Sequence, residues 1–197
     1  KMAFIISRGE PIDKIDENNY ALLVIDIQEA TTGNYSVNEH YIKNSEDLIS
    51  LINRISQIFH SNDFPVIYIR SEISNPLINI LNDSYAEGSE GVKFDTRLKL
   101  YSDIEVVKSK NDAFYGTGLD EVLIENRVNE LFVVGLDAVY CINNTVEAAL
   151  NRRYKINLIE DALLSESKLM KDSMMVVFSE KGINVLNSKL IDNIILH

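Results

Sequence analysis

What most constrains the fold of this chain is a set of short, almost wholly apolar runs separated by longer stretches of helical periodicity. The first, Tyr20-Ala21-Leu22-Leu23-Val24-Ile25-Asp26, is unbroken and ends in a carboxylate. Pro65-Val66-Ile67-Tyr68-Ile69-Arg70 is entered through a proline, Ile104-Glu105-Val106-Val107-Lys108 ends in a lysine, and Leu131-Phe132-Val133-Val134-Gly135 ends in a glycine. Lys155-Ile156-Asn157-Leu158-Ile159-Glu160 and Gly182-Ile183-Asn184-Val185-Leu186 complete the set. Alternate side chains of a strand point to opposite faces, so runs this short and rich in Val and Ile suit strands covered on both sides. Between them, Leu48, Leu51, Ile52, Ile55, Ile58 and Phe59 share one helical face. Thr117-Gly118-Leu119-Asp120 resembles a capping box opening a helix on Leu119, Val122 and Leu123. Cys141, Thr145, Ala148 and Arg152 share one side of a further helix, with Val146, Ala149 and Leu150 on another; Leu169, Met170, Met174, Val177 and Phe178 mark the last. Strand and helix in alternation predict an α/β fold: a single doubly wound, three-layer domain around a mostly parallel central sheet.

The length agrees, since 197 residues suit one domain with a sizeable core, residues 1–19 being read as an N-terminal extension of it. Asp and Glu total 30 against 19 Lys and Arg, a formal charge of −11 that argues against nucleic acid and anionic membrane as partners. No apolar run approaches the ~20 residues needed to span a bilayer, and the opening residues are too soon charged for a secretory signal. One cysteine, Cys141, makes no internal disulfide, which suits a reducing cytoplasm. Residues 71–103, rich in Asn, Ser, Asp and Gly, predict a long surface excursion of the kind that often forms a functional lid.

Ligands of open α/β sheets bind outside the carboxyl ends of the strands. Three reactive residues fall there: Asp26, Lys108, and Cys141 just past the fourth run. Singly, each has an ordinary explanation, as a loop anchor, a solvated cation and a packing residue. Together they make a reaction centre, in which a helix N-terminus and the Lys108 cation acidify the thiol. Asp26 then serves as base and later as acid, and amides of the turn before the helix form an oxyanion hole. Tyr35, Phe114, Tyr115 and Tyr140 flank these positions; packing is their ordinary role, and Phe114 and Tyr140 are the better candidates for the wall of a substrate pocket. The histidines, His40, His60 and His197, form no metal-ligand spacing. Gly116-Thr117-Gly118 fails as a dinucleotide fingerprint because Glu121 stands at the third glycine position. Neither a metal nor another cofactor is expected.

These residues carry a resemblance to the isochorismatase-like cysteine hydrolases, which include nicotinamidases, N-carbamoylsarcosine amidohydrolases and ureidoacrylate hydrolases. Ala21-Leu22-Leu23-Val24-Ile25-Asp26-Ile27-Gln28 resembles the family's opening strand and catalytic Asp. Lys108 stands four residues before Asp112-Ala113-Phe114, the spacing of the family's catalytic lysine, which selects it over Lys110. Gly135-Leu136-Asp137-Ala138-Val139-Tyr140-Cys141 resembles the nucleophile turn, and Leu158-Ile159-Glu160-Asp161-Ala162 a later landmark. The resemblance implies a cis peptide between Leu136 and Asp137, with the Asp137 and Cys141 amides as oxyanion donors. Family members often carry a small or apolar residue where this chain has Asp137, and its carboxylate either points away or reads a cationic or hydrogen-bond-donating substrate. Arg153 replaces a glycine that commonly ends the following helix. Nicotinamidases of the family carry an Asp-x-His metal site in the region of residues 71–100, where this chain has no histidine.

The expectation is a cofactor-independent hydrolase that cleaves a C–N bond of a small amide, carbamoyl or ureido substrate through a Cys141 acyl-enzyme. The resemblance also implies a homo-oligomer, a dimer or larger, whose neighbouring subunits help to close the pocket. Within the family the rival is a vinyl-ether hydrolase of isochorismate type, which does not need the cysteine. Outside that chemistry stand a receiver-like signalling domain, disfavoured because Ile25 and Ile27 rather than acids flank Asp26, and a catalytically silent binding protein of the same fold.

Overall fold

All six residues of β1 (Tyr20–Ile25) are buried, and the strand lies inside a six-stranded sheet. The structure, a computed structural model, describes residues 19–74 and 83–196. Residues 1–18, within the segment read as an N-terminal extension, lie outside the described residues, as do 75–82 of the excursion. The remaining strands are β2 (Val66–Ser71), β3 (Glu105–Lys108), β4 (Glu130–Gly135), β5 (Lys155–Leu163) and β6 (Asn184–Leu186). Their order is β3-β2-β1-β4-β5-β6, and every neighbouring pair is parallel.

Helices cover both faces: α1 (Glu39–Ser61), α2 (Leu119–Glu125), α3 (Asn143–Asn151), α4 (Lys168–Glu180) and α5 (Ile191–Ile195). β1 shows how the sequence divides itself between them. Leu22 and Val24 join Leu48, Ile52, Ile55 and Phe59 of α1 in one core, while Ala21, Leu23 and Ile25 join Leu119, Val146 and Phe178 in the other. Burying a side chain of this size contributes about 1.5–3 kcal/mol, so a strand apolar on both faces is held from both sides. The doubly wound α/β expectation is met.

Two local details differ from the sequence reading. The cap of α2 is Gly118 without a side-chain bond, and Thr117 accepts from Leu119 N–H at 3.2 Å one residue earlier. Cys141 does not open an α-helix; it lies in a π-helical turn, Ala138–Ile142, that leads into α3.

The chain leaves β1 toward β2 on one side of the sheet and returns to β4 on the other. Asp26 and Leu136 therefore follow two adjacent strands, registered Ile25 to Gly135, at the point where the winding reverses. Gly135 makes that closeness feasible: its φ is +114°, and a Cβ there would sit 2.1 Å from the Ile25 carbonyl oxygen.

Candidate active site

Four strand ends supply the site. Asp26 follows β1 with φ +55°, a left-handed conformation uncommon outside glycine and concentrated at functional positions. Ser71 ends β2 and Lys108 ends β3, and the two are register partners. Cys141 arrives from the turn beyond β4.

The Lys108 ammonium, fully buried, donates to Asp26 Oδ2 at 2.9 Å and Ser71 Oγ at 2.6 Å, and lies 3.2 Å from Cys141 Sγ. Ser71 Oγ donates in turn to Asp26 Oδ1 at 2.9 Å. Asp26, Lys108 and Cys141 thus meet around one ammonium, and the hydroxyl of Ser71 completes the group. The sequence reading missed Ser71 because the apolar run had already ended at Arg70. The backbone of this group is pinned too: Thr31 Oγ1 donates to the Asp26 carbonyl at 2.5 Å, and Ser71 N–H donates to Gln28 Oε1 at 2.7 Å.

The electrostatics run against the expected acidified thiol. Burial, and after it the Asp26 carboxylate, pushes the Cys141 thiol up to about 12, against the opposing pull of Lys108. Lys108 itself is held above its ordinary value: burial opposes its charge, but Asp26 and Cys141 outweigh burial. The thiol therefore rests neutral, beside the contact between the Lys108 ammonium and the Asp26 carboxylate.

The Leu136–Asp137 peptide is cis. The Asp137 N–H donates to no group among the described residues, whereas the Asp137 carbonyl accepts from Tyr140 and Ile142 N–H at 3.2 and 3.0 Å. An unspent donor on a residue only 7% exposed is an available anion contact. Its side chain is the opposite, fully occupied. The carboxylate accepts from Val139 N–H at 2.6 Å, Glu166 N–H at 3.0 Å, Tyr41 OH at 2.6 Å and Ser165 Oγ at 2.9 and 3.0 Å. Of the two alternatives for this residue, a carboxylate engaged by the protein itself is what the structure contains.

Asp26, Ser71, Asp137 and Cys141 border a cavity of about 460 Å³, and Lys108 lies buried behind them. Tyr140 is on its wall. Phe114 is not: it is buried in the core, stacked on Tyr154 at 6.3 Å with the Arg152 guanidinium 4.3 Å from its ring centre. The aromatic walls unforeseen from sequence are Tyr41, from the first turn of α1, and Tyr85, from the excursion. Asn38 caps α1 by accepting from His40 and Tyr41 N–H, which sets where Tyr41 enters. The backbone bond from Ile73 N–H to the Tyr85 carbonyl, 2.8 Å, holds that part of the excursion against the end of β2. Lys110 and Glu166 also line the cavity, on exposed positions of its rim. No group of three or more His, Cys, Asp or Glu placed to hold a metal occurs among the described residues, and no helix among them is long and apolar enough to cross a membrane.

The chain is similar to known proteins over most of its length. The family model of the isochorismatase domain matches residues 20–189. The isochorismatase family protein YaaI of Bacillus subtilis (strain 168) is 25% identical over 150 residues, covering 75% of this chain and 81% of that protein. The crystal structure of N-carbamoylsarcosine amidase from Thermoplasma acidophilum is similar with a TM-score of 0.72 and 26% identity, over 86% of this chain and 96% of that one. The nicotinamidase PncA of Bacillus subtilis shares the fold, with a TM-score of 0.72 and 20% identity over 86% and 99% of the two chains. With a domain match over most of its length and an isochorismatase-like hydrolase fold, the chain belongs to the isochorismatase family.

Proposed function

We propose that the protein is a cysteine hydrolase that cleaves a C–N bond of a small amide, carbamoyl or ureido compound through an acyl-enzyme on Cys141. The observation that carries this reading is the buried ammonium of Lys108, in contact with both Asp26 and Cys141, two residues that line one cavity. Asp26 accepts the thiol proton as Sγ attacks the carbonyl carbon, and the negative charge moves to the carbonyl oxygen. The Asp137 N–H, with that of Cys141, receives the oxyanion. Collapse of the intermediate expels nitrogen, protonated by Asp26, and leaves a thioester. Water then attacks the thioester, with Asp26 again taking a proton, and releases the acid and the thiol. Lys108 balances the charge of Asp26 throughout and attracts the forming thiolate.

The cavity volume suits a small molecule. The similarity to N-carbamoylsarcosine amidase favours the amide and ureido side of the family over vinyl-ether cleavage, as does the position of Cys141 at the ammonium. Ammonia release across a panel of small amides, carbamoyl and ureido compounds tests the proposal, with Cys141→Ala as control. Turnover by the parent and none by the variant, which keeps the parent's circular dichroism, is expected. Full activity of Cys141→Ala would remove the mechanism.

A further inference from the structure

A carboxylate, that of Asp137, stands beside the N–H proposed to receive the oxyanion. A charge there opposes the charge that forms in the reaction unless it is engaged elsewhere. The structure engages it completely: two hydroxyls and two backbone N–H groups converge on its oxygens. These donors come from separated parts of the chain. Tyr41 belongs to α1, Val139 to the π-helical turn, and Ser165 and Glu166 follow β5. Their common effect is to hold one residue from several directions, and that residue carries the unspent N–H. Ala138 N–H, which donates to the Leu164 carbonyl at 2.9 Å, closes the same junction from the next peptide.

We propose that Tyr41 is a positioning residue: its 2.6 Å hydrogen bond to the Asp137 carboxylate aims the Asp137 N–H at the substrate oxyanion and draws the carboxylate's charge away from it. The inference rests on the proposed thiol attack at a carbonyl and adds to it the residue that sets the oxyanion contact. Burial first, and the bond to Asp137 second, hold the Tyr41 phenol far above its ordinary value, so it stays a donor across the working pH range. The bond is also charge-assisted, the stronger class of hydrogen bond. Tyr41 does its work through Asp137, not on the reacting atoms.

The test compares two reactions of one thiol. With butyraldehyde, Sγ forms a bond to the carbonyl carbon, the C=O π pair moves to oxygen, and the thiol proton reaches that oxygen by way of Asp26. The product is a hemithioacetal whose oxygen occupies the oxyanion position. Iodoacetamide alkylates the same sulfur with loss of iodide, and no oxyanion forms. Tyr41→Phe is expected to weaken hemithioacetal formation about tenfold, a fraction of what losing an oxyanion donor costs. Adduct formation is read by NMR with ¹³C-labelled butyraldehyde, and alkylation is expected to change less than about twofold, since the thiol itself is untouched. Ser165→Ala removes a different donor to the same carboxylate and is expected to shift the same ratio in the same direction. Equal losses in both reactions, or none in either, overturn the role of Tyr41. Absence of a hemithioacetal on the parent protein overturns thiol attack at a carbonyl, and the inference with it.

Discussion

Asp26 is placed so that its charge resists ionisation of Cys141, and this decides how the thiol is used. A thiol pushed up to about 12 by burial and by Asp26 is neutral near pH 7, so its nucleophilicity depends on proton transfer during attack. Replacing Asp26 by Asn removes the anion that raises the thiol and leaves Lys108 unopposed beside it. Both changes favour the thiolate, so the midpoint of thiolate absorbance at 240 nm in Asp26→Asn is expected to fall by about one pH unit or more. Turnover is nevertheless expected to vanish, because the proton carrier is gone. A midpoint that rose would reverse the electrostatic account. The three residues singled out in the sequence were legible because each ends or follows a recognisable strand. Ser71, Tyr41 and Tyr85 were not, since a serine beyond a strand and tyrosines on a helix or loop acquire meaning only from what folds against them.

At the scale of elements, the site depends on how closely β1 and β4 approach and on how the loop after β1 is stitched to the excursion. Gly135→Ala would place a Cβ against the Ile25 carbonyl with φ at +114°. It is expected to cost at least about 2 kcal/mol in the denaturation midpoint, since backbone rather than a flexible side chain is in the way. On the other side, Asp95 accepts from Thr32 Oγ1 at 2.8 Å and from Arg97 Nε and Nη2 at 2.9 and 2.7 Å, tying the excursion to the loop that follows Asp26. Burial alone would raise the Asp95 carboxyl, but its bonds to Arg97 and Thr32 outweigh burial and hold it below its ordinary 3.8. A carboxyl depressed in the folded state stabilises above its unfolded value, and that contribution disappears as pH falls through the folded value. Asp95→Asn is therefore expected to destabilise by about 1–3 kcal/mol at pH 7. The gap to the parent should shrink below pH 4 in urea titrations, and a gap that widened on acidification would contradict the assignment.

For the whole molecule, the apolar runs were enough to predict a parallel sheet with helices on both faces, because burial on two sides leaves a pattern that any reading of hydropathy detects. The identity of the pocket wall was less legible. Phe114 follows the lysine segment closely in sequence, yet its ring is claimed by Tyr154 and Arg152 and turned into the core. Proximity along the chain fixes which strand end a residue is near, whereas the direction of its side chain is fixed by packing against distant elements. The same distinction explains Asp137, whose carboxylate is spoken for by residues from 96 positions before it to 29 after. The molecule's formal −11 charge surrounds a site where one buried cation, Lys108, holds a carboxylate and a thiol together. The most direct test of that arrangement is intact-mass spectrometry of protein quenched during turnover of an amide that releases ammonia. The account predicts a mass increase equal to the acyl group, mapped to the peptide containing Cys141 and lost in Cys141→Ala. Steady turnover in which Cys141→Ala remains active and the parent carries no acyl mass would contradict it.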